Sequence, residues 1–179
     1  MKSPVTLMCV GLLTVCTLLP NTIQARQASS EVIVSSLKGL YDMTNGQITA
    51  TAELLDETMY AYRPIEGVRT AGEIIGHIAA AQFMFCSAAA GEENPHAADA
   101  EQMSGSRDEL RTALAEGIAY CNQVFAQTTD AEVTAMRSFF GNPMSVAGIL
   151  AFNTTHNYEH YGNLTTYMRM NGIVPPSSR

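Results

Sequence analysis

Apolar residues recur along this chain at intervals of three and four, the spacing of one face of an α-helix, and polar punctuation divides them into four segments. The first covers residues 30–59, where Ile33, Leu37, Leu40, Tyr41, Ile48, Leu55 and Met59 track one broad face. Asn45-Gly46 lies inside it and is a candidate kink or break, because glycine costs about 1 kcal/mol in a helix interior. Tyr62-Arg63-Pro64 closes the segment, since proline disfavours helical backbone at the residue before it.

The second segment opens at Thr70-Ala71-Gly72-Glu73. This is a capping box, in which the threonine oxygen accepts from the Glu73 N–H and the Glu73 carboxylate reaches back. Ile74, His77, Ile78, Ala81, Phe85 and Ala88 then share a face, and Gly91 ends the helix. Residues 92–104 are polar, contain Pro95 and read as a long loop. A second box, Ser106-Arg107-Asp108-Glu109, opens a helix through Leu110, Leu114, Ile118, Cys121 and Phe125. The last helix is expected to start at Asn142-Pro143, an N-cap followed by proline. It runs through Ile149, Phe152, His156, His160, Leu164 and Tyr167 to Asn171-Gly172. No segment reads as a strand, so the expected fold is all-α with four helices.

The 179 residues suit one domain preceded by an export signal. Met1-Lys2 followed by the apolar run 5–19 has the form of a secretory signal peptide, with residues 1–25 removed after Ala25. The run is short of the roughly 20 apolar residues a membrane span needs. An uncleaved anchor is the alternative, and Cys16, preceded by the bulky Val15, is a poor lipoprotein site. The domain then comprises residues 26–179, periplasmic or secreted, with no stable membrane insertion after cleavage. Its nine basic and seventeen acidic residues give a net charge of −8. An acidic surface repels phosphate backbones, and no basic patch with interleaved aromatics is present, so nucleic acid is excluded as a partner.

The chemistry is concentrated in histidines. His156 and His160 are four residues apart on one helix, so both imidazoles leave the same face about 6 Å apart, a spacing that lets two nitrogens reach one metal. His77 occupies the apolar face of the second helix, whereas His96 falls in the loop. An inward histidine is ordinarily a satisfied core residue. Three together are costly to bury unless something satisfies their nitrogens, and a cation would do so. The string His156-Asn157-Tyr158-Glu159-His160 also fits the H-x-x-E-H pattern of one metallopeptidase class. Glu159 adjoins His160 in sequence and so leaves the metal-facing side, which argues against that reading.

The block from Arg69 to Ile78 resembles the start of the second helix in DinB-like proteins, and His156 through Tyr167 to Pro176 resembles their last helix and its exit. The likeness extends over essentially the whole mature chain. It implies an up-down-down-up four-helix bundle with a long crossover between helices two and three. It also implies one divalent metal held by His77, His156 and His160, with zinc first and nickel or iron as alternatives. Relatives commonly carry arginine and glutamine after the last histidine, where this chain has Tyr161-Gly162-Asn163. Glu73, one turn before His77, is explained by the capping box without a metal. Residues 91–105 stretch to about 45 Å, enough for the crossover. If helices two and three run parallel, Cys86 and Cys121 are nearly level, and either a disulfide or two buried thiols results.

Three histidines leave a coordination position open, which points to substrate rather than to a closed structural site. The function expected is a metal-dependent enzyme, a hydrolase or a thiol-related transferase, acting on a small molecule. No general base is assigned. The alternative is a non-catalytic metal- or ligand-binding envelope or stress protein. The resemblance further implies a homodimer.

Overall fold

The structure is a computed structural model describing residues 31–179. The expected signal segment and Cys16 lie outside the described residues. Four long helices form the body: α1 (Val32–Leu54), α3 (Ala71–Ala90), α4 (Arg107–Gln127) and α5 (Val146–Met170), with a single turn, α2 (Glu57–Tyr60), after α1.

Local chemistry sets most boundaries. Thr70 and Ser106 each complete a capping box, with Glu73 and Glu109 as the reciprocal partners. Gly91, at φ 76°, ends α3 in the left-handed conformation that glycine adopts without penalty. The first segment is shorter than its apolar pattern suggested. Leu55 is extended, and Asp56 caps α2 by accepting from the Met59 N–H. Asn45-Gly46 neither kinks nor breaks α1. The buried Asn45 donates to Tyr41 O one turn back and accepts from Gln82 on α3, and these bonds hold the turn.

Two expectations are corrected. Asn142-Pro143 does not begin the last helix, because those residues lie in β2 (Asn142–Ser145), paired antiparallel with β1 (Met136–Phe139). Ser145 is the actual N-cap, accepting from the Gly148 N–H, so α5 starts at Val146. The hairpin turns on Phe140-Gly141, both at positive φ, as a two-residue loop needs to match the strand twist. The apolar face of α1 is also narrower than expected. Tyr41 and Ile48 are buried, whereas Ile33 and Leu40 are about half exposed, at 48% and 52%.

Helix directions follow from pairwise contacts. Gly72 and Gly76 approach Leu110, Gly117 approaches Ala79 and Gln82, and Cys86 meets Cys121, so α3 and α4 run parallel. Phe85 meets Phe152, His77 meets His156, and Arg69 meets Tyr167, so α5 is antiparallel to α3. The result is an all-α bundle of up-down-down-up order, decorated by one small hairpin. Cys86 and Cys121 are disulfide-bonded, with Cα atoms 5.3 Å apart. Helix α3 is apolar enough to cross a membrane by length and composition, yet most of it is packed inside the bundle, as a central core helix should be.

The core divides into two apolar clusters, one around Ile48, Leu55, Ile75, Leu110 and Leu164, the other around Tyr41, Phe85, Phe125 and Ile149 with the disulfide. A polar group links three helices at the bundle centre. Gln82 Oε1 accepts from Tyr41 OH (2.9 Å) and Asn153 Nδ2 (3.1 Å), and Gln82 Nε2 donates to Asn45 Oδ1 (2.9 Å). The amides of Gln82 and Asn45 are satisfied at both ends and fix helix register rather than destabilise the core, whereas Asn153 Oδ1 is buried without a partner.

Candidate metal centre

The site is built where α5 crosses α3. His156 and His160 project from one face of α5, and His77 faces them from the second turn of α3. The three side chains converge through their outer nitrogens: His156 Nε2 lies 3.0 Å from His77 Nε2 and 3.1 Å from His160 Nε2. All the nitrogens that could act as ligands lie within 4.8 Å of one another. His160 is buried and the other two are partly exposed, so the cluster opens to one side.

The tautomer of His77 is set by the crossover. Its Nδ1 faces the Glu101 carbonyl oxygen, which can only accept, so Nδ1 carries the proton and Nε2 presents a lone pair to the cluster. That carbonyl is held in place by close docking of the loop on α3. Met103 N–H donates to Gly76 O at 3.2 Å, and Gly76 has no Cβ to obstruct the Met103 carbonyl oxygen. The sequence reading did not identify Glu101 or Gly76. Glu101 contributes a backbone atom, which leaves no mark in residue type, and the paired glycines Gly72 and Gly76 were the one available hint of close approach.

Burial disfavours charge on the α5 histidines. The His156 pKa is lowered from 6.5 to about 4, first by burial and then by His77. That of His160 is lowered to about 3, by burial and then by His156 and His77. Both are therefore neutral imidazoles at neutral pH, the form that ligates metals. His156 Nδ1 and His160 Nδ1 are buried without hydrogen-bond partners.

The donor set fits a divalent cation. Metal–imidazole bonds of about 2.0–2.1 Å separate two ligand nitrogens by about 2.9 Å at right angles and about 3.4 Å at the tetrahedral angle, which brackets the two spacings found here. Without a cation, neutral imidazoles would point several lone pairs at one another. The three-histidine group could thus hold a metal ion. No carboxylate joins the cluster among the described residues. Glu159 is exposed, contrary to the peptidase pattern, and Glu73 is engaged by Thr70 and Arg63. His96 stacks on Phe83 at 4.2 Å and takes no part.

Fold and site together define a helical bundle that gathers three histidines from two antiparallel helices, one of them pinned by the crossover loop. The chain belongs to the DinB superfamily, whose sequence pattern it matches over residues 40–164. It is 26% identical over 145 residues to the uncharacterized protein YjoA of Bacillus subtilis, covering 80% of this chain and 91% of that one. The crystal structure of a DinB-like protein from Bacillus cereus has the same fold, with a TM-score of 0.66 at 18% identity, covering 79% of this chain and 95% of the other. The mycothiol-dependent maleylpyruvate isomerase also shares it, with a TM-score of 0.61 at 18% identity. That alignment covers 73% of this chain but 60% of the isomerase, so the chain spans little more than half of that enzyme's length.

Proposed function

We propose that this protein is an exported metal-dependent enzyme acting on a small molecule, with His77, His156 and His160 holding one divalent metal. Zinc is the first choice, with nickel or iron as alternatives, since imidazole suits all three. The observation that carries the reading is the convergence of three Nε2 atoms, with the His77 lone pair aimed inward by the Glu101 carbonyl. A divalent cation there supplies Lewis acidity with a coordination position left for substrate. The chain's own contribution is to keep His156 and His160 neutral, to fix the His77 tautomer and to leave one side of the cluster open.

The reaction is hydrolysis or a thiol-linked group transfer. The mycothiol-dependent isomerase brings thiol chemistry into consideration through a shared fold, which does not by itself carry function. The Cys86–Cys121 disulfide supports an oxidising compartment, periplasmic or extracellular. Low-molecular-weight thiols are mainly cytoplasmic, so export shifts weight towards hydrolysis. The mass of the mature N-terminus from an exporting host tests the signal cleavage. A homodimer is also proposed, supported by the exposed apolar stripe of Ile33, Leu40, Met43 and Leu54 along α1. A monomeric mass by light scattering would dismiss it.

One observation favours the second reading, a non-catalytic metal- or ligand-binding protein: among the described residues, no carboxylate joins the three histidines to serve as a general base. His160→Ala separates the two. The enzyme reading requires loss of turnover on whichever ester, amide or thiol-conjugate substrate the wild type converts. If the loaded wild type turns over none of these classes and His160→Ala changes only metal retention, the binding-protein reading stands.

A further inference from the structure

Helix α5 carries a short internal repeat, Asn153-Thr154-Thr155-His156 followed by Asn157-Tyr158-Glu159-His160, in which each histidine has an asparagine three residues before it. Residues three apart on a helix are neighbours, with Cβ atoms about 5–6 Å from each other. Helical side chains also lean towards the N-terminus, so each imidazole overlies the turn that carries its asparagine. Both asparagines are fully buried, at 0% exposure.

Unpaired polar atoms gather on the same repeat. Among the described residues, eight buried side-chain nitrogens and oxygens lack a hydrogen-bond partner, and five of them belong to these four side chains. They are Asn153 Oδ1, both polar atoms of Asn157, and Nδ1 of His156 and of His160. Donors match acceptors in this set. An imidazole that gives Nε2 to a metal carries its proton on Nδ1, and that proton needs an oxygen. The orientation of Asn153 is fixed from α1. Asn45 Nδ2 donates to the Tyr41 carbonyl, so Asn45 Oδ1 accepts from Gln82 Nε2. Gln82 Oε1 then accepts from Asn153 Nδ2, and Asn153 Oδ1 is the atom left over. Asn157 stands between the two rings. It follows His156, whose ring its amide approaches without a well-aligned bond, and it precedes His160 by one turn.

We propose that Asn153 and Asn157 are the positioning residues of the metal centre, their amide oxygens taking the Nδ1 protons of His156 and His160. One internal water completes the link where the gap exceeds a direct bond. The Glu101 carbonyl does the same for His77, so all three ligands present Nε2 with Nδ1 anchored on oxygen. The inference deepens the metal reading above and rests on it.

Asn157 is the side chain to change, because Asn153 also serves Gln82. Asn157→Leu keeps the branched shape and removes the acceptor, whereas Asn157→Asp keeps the acceptor. Zinc affinity, measured by chelator competition, should fall roughly 10–100-fold in Asn157→Leu and stay near wild type in Asn157→Asp. Equal affinity in wild type and Asn157→Leu overturns the proposal, as does an equal loss in both variants. Imidazole nitrogen NMR of the zinc-loaded wild type gives a second reading that needs no variant to fold. A solvent-protected Nδ1–H on both His156 and His160 is expected, and zinc on either Nδ1 overturns the proposal. Failure of the metal reading is separately visible as a wild type that binds no zinc. The metal-free spectrum then decides: the Nδ1–H tautomer at both histidines sustains the asparagine pairing, and the Nε2–H tautomer overturns it.

Discussion

Replacing Gly76 by alanine should damage the fold and the metal centre together, through one methyl group. A Cβ at Gly76 would overlap the Met103 carbonyl oxygen and would stand 3.1 Å from Leu110 Cδ2. The leucine tip can rotate aside, but the carbonyl is backbone. The loop must therefore retreat by about 1 Å to restore ordinary contact. Overpacking of this kind costs about 1–3 kcal/mol. The upper end is expected here, because retreat also lifts the buried Met103 side chain from the core and breaks its N–H bond to Gly76 O. Glu101 lies two residues earlier on the same loop, so its carbonyl leaves His77 Nδ1 as well. Losing such an orienting partner weakens metal binding roughly 10–100-fold. Urea unfolding of the metal-free variant measures the first effect, and chelator competition for zinc measures the second. Gly46→Ala is the control. Its Cβ would meet nothing within 4 Å, so it should hold or raise stability, by up to about 1 kcal/mol. A Gly76→Ala protein with wild-type stability and zinc affinity would refute the account of the loop. Lost stability with unchanged affinity would refute the orienting role of Glu101.

Two further outcomes follow from the structure. Cys86→Ala/Cys121→Ala should lower the unfolding free energy by about 3–4 kcal/mol, because the bridge closes a loop across a sequence separation of 35 residues; an unchanged urea midpoint would count against a formed bridge. For the metal-free protein, both folded-state histidine pKa values lie below the unfolded 6.5, at about 4 for His156 and about 3 for His160. Their contribution to stability is therefore complete above about pH 6.5 and is lost as pH falls towards 4 and then 3. His156→Gln/His160→Gln should flatten the acid limb of stability against pH, and an identical limb would mean that these histidines are not desolvated.

What was legible in the sequence was whatever local chemistry decides. The two capping boxes set helix starts within a four-residue window, and the i,i+4 histidine pair is a property of one helix. The level placement of Cys86 and Cys121 followed once α3 and α4 were taken as parallel. The hairpin was not legible, because its turn uses Phe140 at φ 49° where asparagine or glycine would have announced it. Phe140 is 66% exposed. The start of α1 was read to within two residues, at 30 against Val32, but what caps it was hidden. Glu31 makes no side-chain cap there, and Asp130, nearly a hundred residues away, accepts from the Ile33 and Val34 N–H groups at 3.0 and 2.8 Å. Asn45-Gly46 looked like a break because its compensation lies on α3, in Gln82. At the site, the three imidazoles were readable from spacing and resemblance. The Glu101 carbonyl depends on tertiary placement and was not.

The central claim is that three imidazoles from two helices hold one metal. Elemental analysis of the purified protein, beside His156→Ala/His160→Ala, tests it most directly. The account predicts about one zinc or nickel per chain in the wild type and none in the double variant. A wild type that retains no metal after zinc addition and dialysis, or a double variant that retains it equally, would contradict it.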